Sequence, residues 1–137
     1  EFEGIDSAQP TREVLSALRD AELVIIGPSN PLISIAPIIK VIGSHIPRDR
    51  TVAITPIVGG ASLKGPTVEM MRAVGPPPTP VEVARMYREI AGRFVLDSRD
   101  QELATAVDEM GLRTLVLDTV MSDGGGALAA RILETFT

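Results

Sequence analysis

The sequence of 137 residues contains no cysteine, no tryptophan and a single histidine, His45. Without cysteine there is no disulfide framework, no thiolate ligand for zinc and no thiol nucleophile. One histidine excludes a His-rich metal cluster and argues against a Ser-His-Asp triad. Aromatic residues are also scarce. Phe2, Tyr87, Phe94 and Phe136 provide no stacking platform for single-stranded bases. Basic charge is in deficit, with 13 Lys and Arg against 18 Asp and Glu for a net charge of −5. That sign opposes non-specific nucleic-acid binding. No unbroken apolar run exceeds the four residues Leu23–Ile26, whereas a membrane span needs roughly 20. The acidic start, Glu1-Phe2-Glu3-Gly4, resembles neither a signal nor a transit peptide. These absences predict a cytoplasmic protein with neither nucleic-acid nor membrane partners. The missing initiator Met, with an opening that reads as a strand entering a helix, predicts a chain that begins within a fold.

What is present is an ordinary apolar content of 45%, enough for a packed core, and one α/β domain is expected over 1–137. Four short apolar runs rich in β-branched residues read as strands. Leu23–Ile26 ends at Gly27, Thr51–Thr55 at Pro56, Phe94–Leu96 at Asp97 and Thr114–Leu117 at Asp118. None alternates with polar residues, as suits strands buried on both faces of a parallel sheet. Helical spacing fills the intervals. Val14, Leu15 and Leu18 form one stripe, and Val83, Tyr87, Ile90 and Ala91 form another. Ser98 with Gln101 reads as a capping box for the stripe Leu103, Val107 and Met110, closed by Gly111. Gly65-Pro66 and Gly75 bracket a shorter helix, and Asp123 precedes the stripe Leu128, Ile132 and Phe136. Alternating strands and helices predict an α/β sandwich with a mostly parallel sheet.

Ligands of such sheets bind beyond the carboxyl ends of the strands, and the unusual residues of this sequence lie there. Gly27-Pro28-Ser29-Asn30-Pro31 follows the first run. Gly27 lets backbone approach a ligand closely, while Ser29 and Asn30 add short donors and acceptors. A proline-stiffened turn that only redirects the chain is the plainer reading. Gly59 to Gly65 follows the second run and carries Lys64, one of two lysines, ahead of a helix start. Flexible backbone, a cation and a helix dipole are the parts of a phosphate loop. The spacing is not that of a Walker loop, since Pro66 occupies the place of its lysine, and a plain surface loop fits almost equally well. Asp97 and Asp118 end strands and could serve as bases or metal ligands, although for Asp97 a helix cap is the favoured reading. His45 lies in a surface loop.

Taken together, these loops resemble the 2-phospho-L-lactate transferase family. Gly27-Pro28-Ser29-Asn30-Pro31 with Ser34-Ile35 and Pro37-Ile38 looks like its first motif. Pro56-Ile57-Val58-Gly59-Gly60, Lys64-Gly65-Pro66 and Met70-Met71 look like its second, and Asp118-Thr119 with Met121 and Asp123 like its third. The blocks occur in order over nearly the whole chain, which corresponds to about the C-terminal half of a family member. Two positions depart from the pattern, Thr55 in place of Ser and Ala36 in place of Gly.

The resemblance implies a three-layer, Rossmann-like sheet with helices on both faces, in a dimeric enzyme of coenzyme F(420) biosynthesis. Such an enzyme transfers a phospholactyl or phosphoenolpyruvyl group from a guanosine diphosphate-linked donor to the deazaflavin precursor Fo. It releases GMP and requires magnesium. Carried onto this chain, Lys64 would offset developing charge, and Gly27, Ser29, Asn30, Ser34, Gly59 and Gly60 would cradle the nucleotide diphosphate. The resemblance puts the ligands for magnesium and Fo in the N-terminal half, outside this sequence. Two alternatives share the fold: a gluconeogenesis-factor-like regulator that binds a nucleotide sugar, and a non-catalytic nucleotide-binding domain.

Overall fold

The computed structural model describes residues 2–136. Along the chain, α1 (Arg12–Asp20) leads into β1 (Val24–Ile26), α2 (Ala36–Ile42) and β2 (Thr51–Ile54). The short strands β3 (Ile57–Val58) and β4 (Ala61–Ser62) follow, then α3 (Thr67–Val74) and α4 (Pro80–Tyr87). The chain continues through β5 (Arg93–Asp97), α5 (Ala104–Asp108), β6 (Arg113–Leu117) and α6 (Gly126–Glu134). β1, β2, β5 and β6 form one parallel sheet in that spatial order, so each predicted apolar run supplies one strand. Because the strands are parallel, Gly27, Thr55, Asp97 and Asp118 all emerge at one edge.

The register divides the apolar side chains between two faces. Ala53 pairs with Phe94, and Ile26 with Ala53; these residues and Leu96 pack against Val68, Met71, Val83, Tyr87 and Val107 of α3, α4 and α5. The alternate residues Val52, Ile54 and Val95 pack against Leu128 and Ile132 of α6. Helices therefore cover both faces, giving the three layers expected. Each fully buried large apolar side chain contributes about 1.5–3 kcal/mol, and Val52, Phe94, Val95 and Leu96 of the central strands β2 and β5 are among them. The outer strands are less covered: Ile25 of β1 is 45% and Val116 of β6 is 40% exposed.

Local signals set several helix ends. Thr79 caps α4, its hydroxyl accepting the Glu82 N–H at 3.2 Å. Gly75 ends α3 at φ 110°. Asp123 accepts the Gly125 and Ala127 N–H groups, both at 2.9 Å, at the start of α6.

The structure differs from the sequence reading in several details, beginning with the opening, which forms a 3-10 turn, Ile5–Ser7, and not a strand. The stripe ending in Ile90 and Ala91 stops sooner, because α4 ends at Tyr87, whose carbonyl takes both of their N–H groups in a closing turn. The Ser98–Gln101 capping box is replaced by a 3-10 turn, Ser98–Leu103, capped by Asp97. There Asp100 departs from helical geometry and is buried, and its carboxylate bonds to Gly59 rather than to its own turn. Finally, the segment after Pro56 is an antiparallel hairpin: Val58 faces Ala61 and Ile57 faces Ser62.

Candidate functional site

Three loops meet at the carboxyl edge of the sheet. They enclose a cavity of about 270 Å³ lined by Pro28, Leu63, Lys64, Thr119, Val120, Met121 and Ser122. Each wall has a local cause. On the first side, Ile26 ends β1 and Gly27-Pro28 turns the chain, the Ser29 N–H returning to the Gly27 carbonyl at 2.8 Å. A Cβ on Gly27 would meet no atom within 4 Å, so packing does not demand glycine there.

The second wall begins at Thr55, whose buried hydroxyl donates to the Ile57 carbonyl at 2.9 Å and accepts the Ile57 N–H at 3.1 Å. This turn launches the β3–β4 hairpin. A serine hydroxyl could do the same, so threonine in place of the serine expected from the resemblance leaves that function intact. Gly59 and Gly60 lie at φ 56° and 78°, the paired left-handed conformation of a two-residue hairpin turn, where glycine is favoured. Beyond β4, the Ser62 hydroxyl accepts the Val68 N–H at 2.9 Å, fastening the Leu63–Pro66 segment to the start of α3. Lys64 is exposed on that segment, with no ion-pair partner among the described residues. The other lysine, Lys40, pairs with Asp6.

The third wall follows β6. Asp118 closes a tight turn by accepting the Val120 N–H at 3.0 Å. Thr119 is buried and bonded to Asp97, which accepts its N–H at 2.9 Å and its hydroxyl at 2.8 Å on one oxygen. The other Asp97 oxygen accepts the Arg99 N–H at 3.0 Å. Burial opposes ionisation of Asp97, yet the N–H groups of Arg99 and Thr119, the Thr119 hydroxyl and the Arg99 charge hold its pKa below the ordinary value. Asp97 is thus a helix cap, as the sequence suggested, and also an anchor for the neighbouring loop.

Of the residues selected from sequence, Lys64 lines the cavity, and Gly27 adjoins Pro28 at its rim. Asn30 is engaged elsewhere. Its carbonyl oxygen accepts the Leu32 and Ile33 N–H groups at 2.9 and 3.3 Å, and its amide donates to Met70 Sδ at 3.4 Å. It caps a single π-helical turn, Pro31–Ile35, that runs directly into α2. Helical structure therefore begins at Pro31, directly after the loop residues Gly27 to Asn30. Ala36 adopts ordinary helical geometry, so nothing there requires the glycine expected from the resemblance. Ser29 and Ser34 are exposed, and neither lines the cavity. The Gly59 N–H is bonded to Asp100, while Gly60 sits exposed at the hairpin tip. Sequence reasoning missed Asp100 and the cavity side chains Leu63, Val120 and Ser122. The spacing Asp97-x-x-Asp100 after a strand was the available signal.

A larger apolar cleft of about 570 Å³, lined by Phe2, Ile5, Val14, Ile38 and Val41 among others, lies on the outward side of α2. It lacks the cation and the convergent strand-end loops of the smaller cavity.

The sequence that builds these loops matches a known family over nearly its whole length. The profile of the family described as 2-phospho-L-lactate transferase CofD matches residues 1–131. The chain belongs to this family. Among its curated relatives, the 2-phospho-L-lactate transferase of Methanosarcina barkeri is 38% identical over 121 residues, covering 87% of this chain and 39% of the relative. The transferase of Methanosarcina mazei is 34% identical over 140 residues, 99% of this chain and 46% of the relative. That of Methanocaldococcus jannaschii is 34% identical over 131 residues, 93% and 41% respectively. The chain spans less than half the length of these members of the family.

Proposed function

We propose that this chain carries the nucleotide-binding loops of a 2-phospho-L-lactate transferase acting in coenzyme F(420) biosynthesis. Its donor is a guanosine diphosphate-linked phospholactyl or phosphoenolpyruvyl group, and its acceptor is the terminal hydroxyl of the deazaflavin precursor Fo. The observation that carries this reading is the meeting of an unpaired Lys64 with the loops after β1 and β6 at the carboxyl edge of the sheet. Family membership supports the transferase role.

In that transfer the Fo hydroxyl oxygen forms a bond to the distal phosphorus of the donor. The bridging P–O bond breaks, GMP leaves with the electron pair, and the hydroxyl proton passes to solvent or a base. Little covalent chemistry is asked of the protein, so positioning and charge stabilisation dominate. Lys64 would face the negative charge that grows on the bridging and distal oxygens. At about 270 Å³ the cavity falls just below the roughly 300–1,000 Å³ of typical ligand clefts. It suits the diphosphate and its adjoining sugar better than the whole donor.

The carboxylates at this edge do not assemble into a magnesium site. Both oxygens of Asp97 hold protein donors, and Asp118 and Asp123 accept backbone N–H groups of their own turns. No group of three metal-ligating residues occurs among the described residues. The magnesium required by this reading takes its ligands from the remainder of a family-length protein, and no step assigned to these loops passes through it.

The test is to incubate the full-length protein with magnesium, Fo and the guanosine diphosphate-linked donor and to follow GMP release. Fo-dependent GMP release supports the reading. Absence of release, together with tight binding of a uridine diphosphate sugar, would replace the transferase with a regulatory nucleotide-sugar binder.

A further inference from the structure

The turn after β5 carries two carboxylates that the transfer chemistry does not use, Asp97 and Asp100, only 1% and 5% exposed. Burying a carboxylate costs several kcal/mol unless donors compensate. The exposed aspartates at this edge bond within their own turns: Asp118 to Val120, and Asp123 to Gly125 and Ala127. The buried pair reaches much farther. Asp97 bonds to Thr119, 22 positions away, and Asp100 accepts the Gly59 N–H at 2.9 Å across 41 positions.

Sheet order explains the reach. β5 lies between β2 and β6, so its terminal turn has the hairpin that follows β2 on one side and the loop that follows β6 on the other. Asp100 holds the first and Asp97 the second. The segments so anchored form or lead into opposite walls of the cavity, Leu63-Lys64 and Thr119–Ser122.

We infer that Asp97 and Asp100 are positioning residues for the transfer, fixing the separation of the Lys64 wall from the Thr119–Ser122 wall around the donor diphosphate. The inference rests on the transferase reading above. It concerns geometry rather than contact with the reacting atoms, and displacements near 1 Å can cost up to about 100-fold in rate.

Three variants of the full-length protein test it. Thr119→Val removes the hydroxyl that donates to Asp97 while keeping the side-chain shape. Asp100→Ala deprives the Gly59 N–H of its acceptor. Asp108→Ala is the control, because Asp108 accepts the Thr114 N–H at 2.9 Å, but at the amino end of β6. Steady-state kinetics are measured well below each variant's melting transition, with hydrogen exchange followed over 56–66 and 117–123. Thr119→Val and Asp100→Ala should each lower kcat/KM for the donor by about tenfold, the equivalent of about 1.4 kcal/mol, chiefly through KM. Exchange should quicken in 117–123 for the first and in 56–66 for the second, whereas Asp108→Ala should alter neither kinetics nor these segments. Unchanged kinetics in folded Thr119→Val and Asp100→Ala, or an equal fall in all three variants, overturns the inference. If the wild-type protein releases no GMP, the transferase reading fails by itself. The exchange data then decide whether the two carboxylates position these loops: segment-specific quickening supports it, and unchanged protection overturns it.

Discussion

One carboxylate oxygen of Asp97 accepts both the N–H and the hydroxyl of Thr119, at 2.9 and 2.8 Å, joining the ends of two neighbouring strands. This pairing makes stability depend on acid. The Asp97 pKa is lowered in the folded protein from an ordinary value of 3.8, so the unfolded chain binds its proton first as pH falls. Its stabilising contribution is complete above that value and is lost as pH drops through the folded pKa. Thermal melts between pH 6 and pH 2 should show a loss of stability below about pH 4 that is smaller in Asp97→Ala. An identical acid limb in both proteins would contradict the linkage.

Gly92 sits where two segments touch. A Cβ there would lie 2.8 Å from the Arg48 carbonyl oxygen, which belongs to backbone and cannot rotate away. The same residue donates to Thr51 and accepts from Arg113, tying β5 to both of its neighbours. Gly92→Ala should therefore cost about 1–3 kcal/mol through overpacking, measured by chemical denaturation. A change under about 0.5 kcal/mol, typical of an unconstrained surface site, would show that this contact relaxes freely.

Tyr87 presents the opposite case. Its ring fills the core between α4 and the sheet, but its hydroxyl is buried with no hydrogen-bond partner among the described residues, and burial pushes the phenol pKa upward. A buried polar group left unpaired costs about 1–3 kcal/mol. Tyr87→Phe keeps the ring and removes that cost, so its stability should equal or exceed the wild type. A loss of more than about 1 kcal/mol, the worth of an ordinary hydrogen bond, would reveal a partner for the hydroxyl.

The strands were legible because their cause is local. Runs such as Thr51–Ile54 and Phe94–Leu96 are apolar without alternation, and both lie buried between helix layers. Helix ends set by one capping residue or glycine, such as Asp123 and Gly75, were legible for the same reason. The hairpin at Gly59-Gly60 was harder to read, since its strands have two residues each and offer no periodicity. The contacts of Asn30 with Met70 and of Asp100 with Gly59 were hidden by distance in the chain. Met70 lies 40 positions from Asn30, and Gly59 lies 41 from Asp100. Motif resemblance located the loops, but only the fold shows that Asn30 caps a helix while Lys64 faces the cavity.

The binding of guanine nucleotide by these loops is tested most directly by titrating GDP calorimetrically into the full-length protein and its two lysine variants, Lys64→Ala and Lys40→Ala. Lys64 lines the cavity at the carboxyl edge, whereas Lys40 lies on α2 in an ion pair with Asp6. Lys64→Ala should weaken GDP binding by about 1–3 kcal/mol, the scale of a hydrogen bond to a charged group, while Lys40→Ala should bind like the wild type. Equal affinities in all three proteins, or a loss confined to Lys40→Ala, would contradict a nucleotide site at this edge of the sheet.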